Sequence, residues 1–188
     1  MTTANKLTIF RIILVPFFAY FLWTENWWIS LAVFVVASLT DLLDGYIARK
    51  YNQITDLGKL LDPLADKILM LSAFTIFALT GMIPWWGFSI IAAREAAVTL
   101  LREVAKKEGK VIAASIWGKL KTVTQIVSVI LFICFANFRD DASDIGAVAW
   151  RNYVVMLQDA VFYVAVAITL MSGLDYIVKY VRGKKTLS

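Results

Sequence analysis

The segment TDLLDGYIARKYNQITDLGKLLDPLADKIL, residues 40–69, carries four aspartates on two apolar stretches that are joined by a short basic turn. Asp41 and Asp44 are three residues apart on the first stretch, and Asp62 and Asp66 are four residues apart on the second. In a helix, each pair therefore occupies one face. A carboxylate inside a membrane costs about 3 kcal/mol, so four uncompensated ones would cost roughly 12 kcal/mol. The segment therefore predicts a compensating positive charge between two helices.

The residue types around the aspartates favour a divalent cation as that charge. Gly45, Ala48 and Gly58 share the aspartate faces and leave room for a ligand near the backbone. The chain has no His, and its single Cys134 lies in an apolar run, which excludes imidazole and cysteine metal sites. Carboxylate oxygens alone favour Mg²⁺ or Mn²⁺, and two ions sharing four carboxylates are plausible. The alternative is that the aspartates pair with Arg49, Lys59 or Lys67, or cap helices at the interface.

The rest of the chain has the composition of an integral membrane protein. Of its 188 residues, 60% are hydrophobic and 18% are charged, against about 25% charged in a soluble domain. We expect one all-α domain over residues 1–188, with a short interfacial segment at the N-terminus and six membrane-spanning helices. The predicted spans are residues 7–23, 29–47, 60–79, 85–101, 116–138 and 153–178.

The distribution of basic residues predicts the orientation. With a cytoplasmic N-terminus, all but two of the 19 Lys and Arg residues lie on the cytoplasmic side, and only Arg139 and Arg151 lie outside. Both termini are therefore predicted to be cytoplasmic. The net charge of +5 is assigned to the membrane surface and not to nucleic acid. An aromatic belt at the outer interface is predicted from Trp23, Trp27, Trp28, Trp85, Trp86 and Trp150.

The aspartate segment resembles the signature of a known family. Eight positions match the pattern D-x2-D-G-x2-A-R-x8-G-x3-D-x3-D of the CDP-alcohol phosphatidyltransferases without a gap: Asp41, Asp44, Gly45, Ala48, Arg49, Gly58, Asp62 and Asp66. NKLTIFRIILVP, residues 5–16, looks like the entry segment of that family. AAREAAVTLLR, residues 92–102, and SIWGKLKTVTQ, residues 115–125, are similar to stretches of its bacterial phosphatidylglycerophosphate synthase branch.

The resemblance implies an activity and a set of site residues. It implies a metal-dependent transferase of phospholipid biosynthesis, which moves a phosphatidyl group from CDP-diacylglycerol to sn-glycerol 3-phosphate and releases CMP. Asp66 would be the catalytic base, and Gly45, Ala48, Arg49 and Gly58 would line the CDP-diacylglycerol site. The metal ligands would be Asp41, Asp44, Asp62 and Asp66. It also implies a homodimer in the bacterial cytoplasmic membrane, with its active site facing the cytoplasm.

A phosphorylated acceptor requires cations, and the fourth and fifth helices supply candidates. Arg94 lies within an apolar span beside Glu95, and Arg102 follows eight residues later. Lys119 and Lys121 open the fifth helix. Arginine offers a bidentate fork to phosphate. We expect Arg94, Arg102 and Lys119 to bind the acceptor phosphate, with Thr8 and Arg11 at the border of the same cavity. The alternatives are ordinary anchoring at the cytoplasmic interface and, for Thr8 and Arg11, an interfacial position.

Two other functions remain open. The same chemistry with a different acceptor would give an enzyme of the cardiolipin synthase or phosphatidylinositol-phosphate synthase type. A cation transporter is the alternative from another class, because intramembrane carboxylates often mark ion pathways. The sequence has no visible internal repeat and its carboxylates cluster toward one side of the membrane, which disfavours a transporter.

Overall fold

The structure, a computed structural model, describes the backbone of residues 3–50, 56–108, 116–136 and 145–185, and the side chains of residues 7–41, 64–108, 116–136 and 150–182. No strand occurs in this part of the chain, which confirms the all-α prediction. Each predicted span corresponds to one helix. The helices are α1 (Thr3–Trp23), α2 (Trp27–Lys50), α3 (Asp56–Leu79), α4 (Trp85–Lys107), α5 (Ile116–Phe135) and α6 (Ile145–Lys185).

Two helical segments among the described residues are long and apolar enough to cross a membrane. They are Ile116–Phe135 in α5 and Trp150–Arg182 in α6. Leu7–Trp23 and Trp27–Asp41 are apolar but shorter. The crossing of a membrane by these helices, and the predicted number of six spans, stay predictions.

The helices form two compact units. The first comprises Met1–Thr80 and Phe132–Asp141, and the second comprises Gly81–Leu131 and Ala142–Ser188. The boundary coincides with the turn after α3, where Gly81 has a φ of 72° that a glycine adopts without strain. Pro84 then immediately precedes α4. The single domain over residues 1–188 stays a prediction.

In the first unit, α1 and α2 form an antiparallel hairpin. Phe18 of α1 packs against Phe34 of α2 with ring centroids 5.5 Å apart, and Arg11 of α1 contacts Asp41 of α2, so the contacts run in opposite directions along the two helices. Thr24 in the connecting turn donates a hydrogen bond to the carbonyl of Tyr20 at 2.9 Å and so satisfies a carbonyl in the last turn of α1. Over the described residues, α1 packs against both α2 and α3, whereas α2 and α3 have few mutual contacts.

In the second unit, α4 and α6 run parallel. The rings of Trp86 and Tyr163 stack with centroids 5.8 Å apart, and near the other end of the helices Tyr180 donates a hydrogen bond to Glu108 at 3.0 Å. Residue numbers therefore increase in the same direction along both helices. This arrangement places the aromatic contact at the start of α4 and the polar contacts toward its end.

Helix α5 runs antiparallel to α6 and meets it through polar side chains. Gln125 donates a hydrogen bond to the hydroxyl of Thr169 at 3.1 Å, and Gln158 donates one to the carbonyl of Leu131 at 3.1 Å. Gln125 and Gln158 are almost completely buried. Between helices with apolar surroundings, such hydrogen bonds add specific attraction where apolar burial alone gives little.

Gly87 permits the close approach of α4 and α6. A Cβ atom at Gly87 would lie 2.7 Å from Cε1 and Cζ of Phe162, whose ring is buried and has little room to move. We expect Gly87→Val to destabilise the protein by about 2 kcal/mol through overpacking, measured as a lower apparent Tm in detergent. The matched control is Gly118→Val, because no atom of the described residues lies within 4 Å of a Cβ there. Equal losses for the two variants would contradict this packing.

Candidate active site

Asp41 is held by an ion pair with a buried arginine. Its Oδ1 lies 2.6 Å from Nη1 of Arg11, and the Asp41 side chain is 41% exposed whereas that of Arg11 is completely buried. A charged group in an apolar interior is costly without an opposite charge, so this contact also stabilises the α1–α2 hairpin. Asp41 therefore forms an ion pair, but its partner Arg11 lies on α1 and is not one of the partners named in the alternative interpretation.

Thr8, one helical turn before Arg11, is also completely buried. The alternative for Thr8 was an interfacial position. Neither Thr8 nor Arg11 has the exposure expected of a residue at an interface. Thr8 belongs to the same unit as Asp41, and its predicted position at the border of the acceptor cavity stays a prediction.

Asp66 lies on α3 and is half-buried. Helices α2 and α3 extend through every position of the eight-residue signature, as the predicted aspartate faces require. The side chains at the other positions lie outside the described residues, so the grouping of the carboxylates stays a prediction. Those positions are Asp44, Gly45, Ala48, Arg49, Gly58 and Asp62.

Only two of the four predicted metal ligands, Asp41 and Asp66, belong to the part whose side chains are described. Within that part, no group of three or more His, Cys, Asp or Glu residues is placed to hold a metal ion. The donor chemistry nevertheless fits a hard cation, because all four predicted ligands are carboxylates. The exposed fraction of Asp41 also leaves its carboxylate accessible.

A buried charge cluster lies in the second unit, where three helices meet. Nη2 of Arg94 donates a hydrogen bond to Oγ of Ser172 on α6 at 2.6 Å, and Nη1 lies 3.2 Å from Oε1 of Glu95. Nζ of Lys121 on α5 donates a hydrogen bond to the same Oε1. The Arg94, Glu95 and Lys121 side chains are 12%, 11% and 11% exposed. We call these four residues the Arg94 cluster.

The Arg94 cluster contains two cations and one carboxylate, so its net charge is +1. An anion bound there would complement this excess of positive charge. Phosphate suits such a place because an arginine fork and a lysine ammonium both donate to its oxygens. The cluster therefore has side chains of the kind that bind phosphate, and the binding of the acceptor phosphate by Arg94 stays a prediction.

The other two predicted cations of this unit are exposed. The guanidinium carbon of Arg102 lies 5.9 Å from the ring centroid of Tyr176, one turn after Ser172 on α6, in the range of a cation–π contact. Lys119 is exposed near the start of α5. The lysine within the cluster is Lys121, which lies two residues further on and faces a different side of the helix.

A signal in the sequence would have pointed to Lys121. Lys121, Gln125 and Ser128 follow the helical spacing i, i+4 and i+7, and all three are buried on one face of α5. Polar residues that recur at this spacing within an apolar helix mark the face that packs against other helices. Lys119 does not lie on that face.

Comparison with known proteins agrees with the signature. The model of the CDP-alcohol phosphatidyltransferase family matches residues 1–171. The CDP-diacylglycerol–glycerol-3-phosphate 3-phosphatidyltransferase of Bacillus subtilis (strain 168) is 35% identical, over 97% of this chain and 96% of the relative. The enzyme of the same name from Haemophilus influenzae is 34% identical, over 91% of this chain and 89% of the relative.

A mycobacterial relative has an equivalent level of similarity. The probable phosphatidylglycerophosphate synthase of Mycobacterium tuberculosis (strain CDC 1551 / Oshkosh) is 35% identical, over 95% of this chain and 81% of the relative. The region matched by the family model contains the first compact unit, all eight signature positions, and the second unit up to residue 171. The chain belongs to the CDP-alcohol phosphatidyltransferase family.

Proposed function

We propose that this chain transfers the phosphatidyl group of CDP-diacylglycerol to sn-glycerol 3-phosphate, giving phosphatidylglycerophosphate and CMP. The names of its relatives and the eight-residue signature support this reaction. The structural observation that carries the choice of acceptor is the buried Arg94 cluster with its net charge of +1, because a phosphate monoester complements it. Membership in a transferase family leaves the cation-transporter alternative without support.

The acceptor hydroxyl must lose a proton as its oxygen forms a bond to phosphorus and the bond to CMP breaks. Asp66 is the group that we assign as the base for this proton. Its place as the last aspartate of the signature and its half-buried position on α3 support that role. Gly45, Ala48, Arg49 and Gly58 would line the part of the site that binds the CDP moiety.

The family is generally dependent on a divalent metal. Asp41, Asp44, Asp62 and Asp66 would hold the ions, which we propose to be two Mg²⁺ or Mn²⁺ ions on the basis of their oxygen-only donors. When bound, the ions neutralise the charge of the diphosphate and of the leaving CMP. Arg11 supplies a positive charge to Asp41 from the protein itself.

Arg94 would bind the acceptor phosphate directly. Its guanidinium is oriented by Ser172 and Glu95, so little conformational freedom is lost when phosphate binds. Arg102 and Lys119, which are exposed on the same unit, would contribute positive potential and further contacts. Thr8 remains a proposed residue of the acceptor cavity.

We further propose six membrane-spanning helices, both termini in the cytoplasm and a homodimer in the cytoplasmic membrane, with the active site on the cytoplasmic side. The helix directions support alternate crossings, because α1 and α2 are antiparallel, α5 and α6 are antiparallel, and α4 and α6 are parallel. Exposed tryptophans near helix ends, such as Trp23, Trp85 and Trp86, suit a membrane interface.

The reaction is tested by CMP release from the purified full-length chain with CDP-diacylglycerol and Mg²⁺ or Mn²⁺. The acceptors to compare are sn-glycerol 3-phosphate, glycerol, serine, inositol phosphate and phosphatidylglycerol. We expect release that requires both the metal and sn-glycerol 3-phosphate. Release with a different acceptor, and none with sn-glycerol 3-phosphate, would overturn the assigned acceptor while keeping the chemistry of the family.

A further inference from the structure

Glu95 bridges two cations, and the proposed reaction does not by itself require this bridge. A single oxygen of its carboxylate, Oε1, is contacted by both Nη1 of Arg94 and Nζ of Lys121. Two hydrogen-bond lengths limit the separation of these two nitrogen atoms to roughly 6 Å. Without Glu95, two cations confined to a buried space would repel each other and separate. The carboxylate therefore holds the two positive charges close together.

The stem of Arg94 is also restrained. A Cβ atom at Gly173 would lie 3.2 Å from Cγ of Arg94, so the arginine stem lies directly against the backbone of α6. The adjacent Ser172 accepts its hydrogen bond from Nη2. Nε of Arg94 is buried and makes no hydrogen bond within the described residues, so this guanidinium retains a donor for a ligand.

We propose that Glu95 is a positioning residue, which holds Arg94 and Lys121 as a preformed pair for the phosphate of the acceptor. This proposal rests on the function proposed above and adds two residues to it. Lys121 is the second phosphate-binding cation, and Glu95 acts through the two cations without touching the substrate. Preforming the pair avoids the cost of immobilising two long side chains at the moment of binding.

The sign of the effect separates positioning from simple electrostatics. Removing the Glu95 carboxylate raises the net charge of the cluster from +1 to +2, and charge alone would then lower the KM for an anionic acceptor. Loss of positioning raises that KM, because Arg94 and Lys121 move apart. We expect Glu95→Ala to raise the acceptor KM about tenfold, the effect of about one charge-assisted hydrogen bond.

A conservative variant shows whether position is what matters. Glu95→Gln keeps the length of the side chain and an oxygen that accepts hydrogen bonds, so it should restore part of the lost acceptor affinity. The KM for CDP-diacylglycerol should stay within about twofold of wild type in both variants. Glu95→Gln also keeps the test possible if Lys121, left without its carboxylate, prevents Glu95→Ala from folding.

The matched control is Glu103, on the same helix. It forms an exposed ion pair with Lys106 at 2.6 Å, and both side chains are more than half exposed. Glu103→Ala and Glu103→Gln make the same changes of charge outside the cluster, and they should leave both KM values within about twofold. An unchanged or lower acceptor KM in the folded Glu95 variants would overturn the positioning role. Equal increases in the acceptor and donor KM values would overturn it as well.

Protection against thermal unfolding by inorganic phosphate gives a second readout that needs no turnover. We expect phosphate to raise the apparent Tm of the wild-type chain and to raise that of Glu95→Gln less at the same concentration. If the wild type releases no CMP with sn-glycerol 3-phosphate, the proposed function fails, but this comparison still decides the role of Glu95. Equal protection of wild type and Glu95→Gln, or none of the wild type, would overturn it.

Discussion

Asp66→Asn should lower the rate of CMP release by at least about 100-fold, the lower end of the effect of a general base. Asparagine has nearly the same shape as aspartate but does not accept the proton of the acceptor hydroxyl at neutral pH. Because the position is on α3 and half-buried, the substitution should alter neither the helix nor its packing substantially. We expect kcat to fall while the dissociation constant of CDP-diacylglycerol, measured separately, changes little.

The control for Asp66→Asn is the same substitution at Asp175. Asp175 on α6 forms an ion pair with Lys179 one turn away at 2.8 Å, and it belongs to none of the proposed sites. Asp175→Asn should retain the wild-type rate within about twofold, since such pairs contribute little to stability. A near-normal rate for Asp66→Asn would exclude Asp66 as the essential base. A large loss of donor binding would instead indicate that its main role is to hold metal.

The helices were predictable because their signals are local. The turn residues after α1 lie between tryptophans at the ends of two apolar stretches, and α3 is separated from α4 by Gly81 and Pro84. Each signal acts within a few residues, through backbone conformation or through the loss of a backbone donor at proline. The eight-residue signature is also local, since it occupies one helical hairpin of the sequence.

The charge partners were not predictable in the same way. Arg11 and Asp41 are thirty residues apart in the sequence, and Arg94 and Ser172 are seventy-eight apart. Such pairs are determined by which helices pack together and at what register. A sequence without aligned relatives carries little information on either. The choice between Lys119 and Lys121 depended on the buried face of α5, which becomes certain only when its neighbours are known.

The burial of Arg11 was not predictable for the same reason, since it depends on how α1 packs against α2. Its position near the N-terminus of an apolar helix fitted an interfacial residue equally well, because arginine often extends to the membrane surface. The structure instead buries it completely against α2, with Asp41 as its partner. An aspartate of the signature therefore receives a positive charge from α1, outside the signature itself.

Arg94→Ala should raise the KM for sn-glycerol 3-phosphate between about 10-fold and 100-fold, the range expected when charged hydrogen bonds to a phosphate are lost. The fold should persist, because Glu95 keeps its ion pair with Lys121 when Arg94 is removed. The KM for CDP-diacylglycerol should change by less than about twofold, since the donor site is assigned to other residues.

Two further variants make the interpretation of Arg94→Ala specific. Arg94→Lys keeps the charge but loses the planar fork that reaches Ser172 and Glu95 together, so it should restore only part of the acceptor affinity. Arg151→Ala removes an arginine from α6 that is assigned to the outer side, and it should leave both KM values unchanged. If Arg94→Ala raises the donor and acceptor KM values equally, Arg94 does not bind the acceptor phosphate. If Arg94→Lys then restores both KM values equally, Arg94 is a purely structural cation. A residue that binds the acceptor phosphate must affect the acceptor KM more than the donor KM.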